Sequence, residues 1–154
     1  MKPHVLSLLL LATALLGGPV LAQSGVAAST APTAVDDRLF QALGGKAGLV
    51  KLMDDFMQRL LADPRTEVHF KQADQPRVKA QLVDQFCVLS GGPCVYKGAQ
   101  MKPVHRALDI TKADFNALVE VLQAAMDAQG IAFRVQNQLL AKLAPMHRDV
   151  ITAQ

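Results

Sequence analysis

The sequence predicts an all-α domain, and three observations support that fold class. Apolar residues recur at three- and four-residue spacing through four long segments, which is the period of helices that bury one face. Glycine and proline clusters separate these segments, where they permit tight turns and end helices. No segment shows the strong two-residue alternation that is typical of a half-buried strand.

The first 22 residues have the pattern of a secretory signal and are expected to stand outside this domain. Lys2 and His4 precede an apolar run of about a dozen residues, with small residues before a predicted cleavage site after Ala22. The run is shorter than the ~20 apolar residues that span a bilayer, although an uncleaved membrane anchor is the alternative. Residues 1–22 are therefore predicted to direct export, to the periplasm.

Residues 23–35 are rich in Ala, Ser and Thr and carry no charge, which predicts a flexible tether. The folded domain is predicted over residues 36–154, a length that can bury its own core. Loss of Lys2 with the signal would leave 15 basic and 13 acidic residues, with no basic block. Nucleic acid is therefore not an expected partner.

The first two long helices are predicted over residues 46–61 and 75–90. Asp63-Pro64 ends the first, because proline pushes the preceding residue out of helical geometry. Gly91-Gly92-Pro93 ends the second. The apolar stripes of the two helices comprise Leu49, Met53, Phe56 and Leu60, and Val78, Leu82, Phe86 and Leu89.

Thr111 and Asp114 resemble a capping box at the start of a third helix, which Gly130 ends. Its buried face is predicted to include Phe115, Leu118 and Val119. A fourth helix is predicted over residues 134–151, with a kink near Pro145.

Cys87 and Cys94 stand seven positions apart, and in an exported protein this pair predicts a disulfide. The alternative is two independent thiols. Because the pair is neither Cys-x-x-Cys nor followed by His, the spacing excludes covalent c-type haem attachment and argues against thioredoxin-like chemistry.

Single residues do not reveal a catalytic site. Hydrolase, zinc-protease, P-loop and dinucleotide motifs are missing from the sequence. Three histidines follow the predicted signal: His69 is expected in a loop, His147 on the surface, and His105 alone looks ordinary.

The motifs become informative when they are taken together and in order. They cover residues 39–151 and resemble the group I truncated haemoglobins, within the bacterial-like globins. The motifs are Leu39-Phe40, Leu43-Gly44-Gly45, Asp54-Asp55-Phe56, Leu61-Ala62-Asp63-Pro64-Arg65, Phe70, Gly91-Gly92-Pro93, Tyr96-x-Gly98, Met101-Lys102-x-x-His105, Ile110-Thr111-x-x-Asp114-Phe115, Gly130 and Leu143-Ala144-Pro145.

This resemblance implies a two-over-two helical sandwich around haem b, with His105 as the ligand of the iron. It further implies that Phe70 stacks on the haem and that apolar helix faces line the pocket. The implied cofactor-binding residues are Phe70, Val78, Leu82, Phe86, Met101, Ile110, Phe115, Leu118 and Val119.

The chain departs from the family pattern on the distal side. Met57 stands where the family usually has a tyrosine, and Val78 and Leu82 stand where polar groups often occur, with Gln81 beside them. The distal pocket is therefore expected to lack a strong hydrogen-bond donor. Met57 is interpreted as an apolar filler, and ligation of the iron by Met57, Gln81 or His69 is the alternative.

The predicted function is reversible binding of O₂ or another diatomic gas at five-coordinate haem iron, with an unidentified electron donor. Two alternatives stay open. One is a haem redox, electron-transfer or peroxidase-like protein with a distal protein ligand. The other is a non-haem helical interaction domain stapled by its disulfide.

Overall fold

A computed structural model describes residues 36–153, and in this part of the chain every regular element is helical. The predicted signal and tether lie outside the described residues. No helix between residues 36 and 153 is long and apolar enough to cross a membrane. The helices are α1 Arg38–Ala42, α2 Gly45–Ala62, α3 Pro64–Phe70, α4 Gln75–Leu89, α5 Met101–His105, α6 Lys112–Ala128, α7 Phe133–Leu143 and α8 His147–Val150.

The core is built around α2, which packs against α4 on one side and α6 on another. The predicted 3.6-residue pattern of α2 is confirmed, because its apolar positions are enclosed along most of its length. Leu122, Ala125 and Met126 of α6 and Leu139 of α7 complete this core. Burial of these side chains is the main source of stability for a domain of this size. The enclosed residues of α2 are Leu49, Leu52, Met53, Phe56, Met57 and Leu60.

Local capping sets the helix boundaries near the predicted positions. The Asp63 side chain accepts a hydrogen bond from the backbone N–H of Arg65, so Asp63 begins α3 directly after α2 ends. The capping box of Thr111 and Asp114 is confirmed at the start of α6. The predicted kink at Pro145 is also confirmed, since a 3₁₀ turn over Ala144–Met146 separates α7 from α8.

Two positions differ from the sequence-based expectation. His69 lies in α3 rather than in a loop, because Asp63 and Pro64 start a new helix instead of only ending the previous one. His147 is half-buried and not a freely exposed surface residue. The centroids of its ring and the Phe115 ring lie 4.9 Å apart, and the two rings are nearly perpendicular.

The predicted disulfide is confirmed, and it connects the last turn of α4 to the loop before α5. Cys87 and Cys94 are bonded with their Cα atoms 5.9 Å apart. The turn between them needs glycine at position 92, because a Cβ there would lie only 2.6 Å from both the Cys87 sulfur and the Phe40 ring. The turn therefore also lets α1 dock against the end of α4.

Candidate functional site

His105 is the last residue of α5, and its imidazole is held by its own helix. Its Nδ1 lies 2.7 Å from the backbone carbonyl oxygen of Met101, four residues earlier. Because a carbonyl can only accept a hydrogen bond, Nδ1 carries the hydrogen, and in the neutral imidazole Nε2 has the lone pair. The half-buried ring thus has a fixed orientation and one nitrogen that can bind an electrophile or a metal ion.

A cleft of about 380 Å³ lies between α4, the loop before α5, α5 itself and the turn that begins α8. Its walls are mostly apolar or thioether groups, from Val88, Leu89, Met101 and Met146. Exposed Lys102 and Asp149 also border it. Of the predicted cofactor-binding residues, only Met101 lines this cleft.

The cleft-facing wall of α4 continues the helical stripe that starts at Val78. Val78, Leu82 and Leu89 recur at spacings of four and seven residues, so they share one face of the helix. All three are half-buried. Phe86, by contrast, is 3% exposed and packs into the main core.

The remaining predicted pocket residues differ in how far their side chains are buried. Met57 is 4% exposed on α2, whereas Gln81 on α4 is only half-buried. Phe70 and Leu118 pack against the edge of the main core. Half-buried Val119 follows Leu118 on α6.

Ile110 is 8% exposed at the loop between α5 and α6, and the C-terminal end of the described chain pairs with it. Its backbone N–H donates to the Thr152 hydroxyl, and its carbonyl accepts from the N–H groups of Thr152 and Ala153. This pairing fixes the loop that leads from α5 into α6.

The other two described histidines have different partners. Half-buried His69 places Nε2 3.7 Å from the Asp114 carboxylate, and His147 packs against Phe115. Hydrogen bonds from the Thr111 hydroxyl and N–H hold the pKa of Asp114 below its usual range. His105 is thus the described histidine whose Nδ1 is anchored by a backbone carbonyl.

A match to one protein family identifies the family of this chain. Residues 38–152 match the family described as Bacterial-like globin. The chain belongs to that family.

Relatives of this bacterial-like globin have consistent names. A group 1 truncated hemoglobin of Mycolicibacterium paratuberculosis is 30% identical over 123 residues, covering 80% of this chain and 88% of the relative. A group 1 truncated hemoglobin of Chlamydomonas moewusii is 32% identical, covering 73% of this chain and 70% of the relative.

The fold of the bacterial-like globin is also that of solved truncated hemoglobins. The truncated hemoglobin of Tetrahymena pyriformis, solved in its Fe(III) form, matches with a TM-score of 0.70 and 27% identity. The match covers 73% of this chain and 97% of that one. The 2/2 hemoglobin of Synechococcus, at 22% identity and a TM-score of 0.68, shares the fold, covering 74% of this chain and 97% of that one. The predicted all-α, two-over-two truncated globin fold is therefore confirmed.

Haem is the cofactor that membership of the globin family implies, and the residues of this chain fit it. Globins hold haem iron through one proximal histidine, and His105 offers one oriented nitrogen. Within residues 36–153 no group of three or more His, Cys, Asp or Glu side chains could hold a metal ion by itself. A single imidazole suits an iron whose remaining protein-independent ligands come from a porphyrin. His105 itself does not line the apolar cleft, to which Met101 of the same helix contributes.

Sequence reasoning missed Gln85, which is buried on α4 and lines the cleft. As a polar residue it was left out of the apolar stripe, although it follows Val78 by seven positions and Leu82 by three. Met146 was also missed, because it stands beyond Pro145 in a turn with no helical period.

Proposed function

We propose that this bacterial-like globin binds O₂ or another diatomic gas reversibly at a haem iron held by His105. Haem would supply an iron with one coordination position open to the gas. O₂ and CO bind to ferrous iron, so the proposal includes an electron donor that would return oxidised iron to the ferrous state. The chain's own residues orient the cofactor, exclude water and set the polarity around the gas.

The hydrogen bond between His105 Nδ1 and the Met101 carbonyl carries this proposal. Histidines that bind metals almost always donate their other ring N–H to a carbonyl or carboxylate, which fixes the tautomer and raises ligand basicity. His105 has this arrangement at 2.7 Å within one short helix. Nε2, the proposed iron-binding nitrogen, is therefore oriented before haem binds.

The apolar distal side supports gas binding rather than chemistry on a polar substrate. Met57, Val78 and Leu82 offer no N–H or O–H donor, and Met57 is buried on α2 without belonging to the main core cluster. We interpret the buried thioether of Met57 as a pliable packing group and not as a ligand of the iron. The resulting iron would be five-coordinate before gas binds.

We also infer that the protein acts outside the cytoplasm. Disulfides persist in oxidising compartments and are rare in the cytosol. The bonded Cys87 and Cys94 support the export that the N-terminal pattern predicts. Recovery of the protein in the cytoplasmic fraction, with Cys87 and Cys94 as free thiols, would argue against this inference.

Titration of the purified chain with haem tests the proposed function. We expect one haem per chain, a Soret band, and a five-coordinate ferrous spectrum that changes on addition of CO or O₂. Absence of a Soret band would favour the helical interaction domain instead. A six-coordinate spectrum without added gas, lost in Met57→Ala, would favour a redox protein with a methionine ligand.

A further inference from the structure

The short helix α5 lies at the surface of the domain, although it carries the proposed iron ligand. None of its residues is fully buried, and its main packing partner among the described helices is α8. Met101 and His105 are half-buried and lie on one face of the helix, four residues apart. The three residues between them, Lys102, Pro103 and Val104, are exposed. An electron entering through this surface would therefore have only a short distance to cross to an iron bound by His105.

The exposed cations of this surface have no acidic partner in the described chain. Lys97 lies in the loop before α5, Lys102 on α5 and Arg106 directly after it, and all three are exposed. None of the ion pairs within residues 36–153 includes any of them. Lys102 and Arg106 are also four residues apart, a spacing at which like charges on a helix destabilise it slightly. The fold therefore gains nothing evident from these charges.

Cations in the first half of the domain are arranged differently. Carboxylates pair at 2.6 to 3.4 Å with Lys46, Arg59, Arg65 and Lys79. Most of these pairs join two helices, as the pair between Lys79 of α4 and Asp54 of α2 does. The cations around α5 make no such link, so packing of the domain does not explain their presence.

Exposed apolar side chains accompany the cations around α5. Val95 is 68% exposed, Val104 49% and Leu108 45%. Val95 precedes Lys97 by two positions, and Val104 and Leu108 stand on either side of Arg106 in the sequence. A single exposed valine needs no explanation, but several beside unpaired cations have the composition of an interface with an apolar centre and a charged rim.

We propose that this surface docks an acidic protein that carries a one-electron redox centre and reduces the haem iron. The α5 surface, as we define it, comprises Val95, Lys97, Lys102, Val104, Arg106 and Leu108. The proposal rests on the proposed function and gives the chemical class of its electron donor. One electron would leave the reduced centre of the donor and convert ferric iron to ferrous iron, with no bond formed or broken in this chain. Opposite charges would speed the encounter, and the small apolar centre would allow the oxidised donor to leave.

Exposed acids beside the α5 surface favour a protein partner over an anionic lipid bilayer. Asp109 directly follows Leu108, and Asp149 of α8 borders the cleft together with Lys102. A uniformly anionic membrane would repel these carboxylates. A protein can instead place its own carboxylates opposite the cations alone.

The test uses a plant-type ferredoxin as the probe, because it is acidic and donates one electron at a low potential. Calorimetry measures the binding of oxidised ferredoxin to the haem-loaded chain. Stopped-flow absorption measures the reduction of ferric haem by reduced ferredoxin without O₂ present. We expect both to weaken about tenfold from low to high salt, and by a similar factor when Lys97→Glu and Arg106→Glu are combined.

Lys51→Glu combined with Arg134→Glu is the matched control. It reverses two exposed cations, on α2 and α7, that are also absent from the ion pairs of residues 36–153. This variant should bind ferredoxin and accept its electron as wild type does. After reduction by dithionite, all forms should bind CO at equal rates, because the haem site itself is unchanged.

Equal weakening in the two double variants would overturn the proposal, since net charge rather than the α5 surface would be responsible. Ferredoxin binding that is insensitive to salt would also overturn it. Tighter binding to phosphatidylglycerol vesicles than to ferredoxin, lost with Lys97→Glu and Arg106→Glu, would assign the surface to a membrane instead. A chain that takes up no haem would overturn the proposed function, and calorimetry on that haem-free chain would still show whether the α5 surface binds the acidic protein.

Discussion

We expect Met57 to determine how strongly the distal side of the proposed pocket stabilises a polar ligand. Its side chain is enclosed on α2 and carries no hydrogen-bond donor. A neutral hydrogen bond contributes roughly 0.5–1.5 kcal/mol, and partial charge on the acceptor moves the value toward the upper end. A donor at this position would therefore change O₂ retention by about tenfold.

We predict that Met57→Tyr slows O₂ dissociation by about tenfold and leaves CO dissociation nearly unchanged. Flash photolysis and stopped-flow measurements on the haem-loaded variant provide both rates. Met57→Phe is the control for ring size without the hydroxyl. Equal effects of Tyr and Phe, or equal effects on the two gases, would show that bulk rather than hydrogen bonding is responsible.

Individual site residues were predictable from sequence to different degrees. His105 stands in a spaced motif, so its identity as the proposed ligand follows from the family pattern. Gln85 could not be recognised, because a polar residue on an amphipathic helix is normally assigned to the solvent-facing side. Only the packing of α4 against the elements that carry Met101 and Met146 shows that this amide is buried.

At the scale of elements, the disulfide joins the end of α4 to the segment that leads into α5. The enclosed loop is short, so the entropic stabilisation is modest, on the order of 2 kcal/mol. We predict that Cys94→Ser lowers the free energy of unfolding by about this amount, as measured by urea denaturation. Half-buried Cys94 is the better site for substitution, because Cys87 is fully enclosed.

Reductant provides the control for this prediction. It should destabilise the wild-type protein by a similar amount and have no effect on Cys94→Ser. Equal stability of wild type and variant in the absence of reductant would contradict a stabilising role for the bridge.

The capping box at the start of α6 links helix stability to pH. The Thr111 hydroxyl and N–H donate to the same Asp114 oxygen at 2.7 and 2.9 Å, which lowers the pKa of the carboxyl. A lowered folded-state pKa stabilises the protein above the unfolded-state value, and this stabilisation is lost as pH falls through the folded-state pKa.

We predict that Thr111→Ala lowers the free energy of unfolding by about 1 kcal/mol at neutral pH and raises the pKa of Asp114 toward its ordinary value. Urea denaturation and NMR titration of the carboxyl measure these effects. The stability difference should shrink as pH falls below about 4, the usual Asp pKa. Thr111→Ser should retain the cap, so a deficit as large as that of Ala would contradict the capping explanation.

The long helices were predictable because their start and stop signals are local. Pro64, Gly91 and Thr111 act within a few residues, and α2, α4 and α6 end or begin beside them. The short helices α1 and α8 were not predictable by periodicity, since five and four residues do not complete a repeat. They depend on tertiary contacts, such as the bond from Phe40 N–H to the Ser90 carbonyl.

For the whole molecule, the family and its fold were predictable from the order of many weak motifs. The extent to which each predicted pocket residue is buried was not predictable, because burial depends on how the helices pack around α2. Haem binding should raise the free energy of unfolding of the whole domain, because a ligand that binds only the folded chain stabilises the folded state.

We predict that haem in excess raises the midpoint of thermal unfolding. Haem at 100 times its Kd would contribute about 2.7 kcal/mol, or roughly 10 °C for a domain of this size. Calorimetry with and without haem measures the shift, which should be largely lost in His105→Ala. An equal shift in the variant would show that haem binds without the histidine.

The central claim is that His105 holds the iron, and the absorption spectrum of the ferrous protein tests it most directly. His105→Ala should lose the five-coordinate, histidine-bound spectrum and recover it when free imidazole is added. His69→Ala and His147→Ala, which remove imidazoles engaged with Asp114 and Phe115, should keep the wild-type spectrum. A normal five-coordinate ferrous spectrum in His105→Ala without added imidazole would contradict the claim.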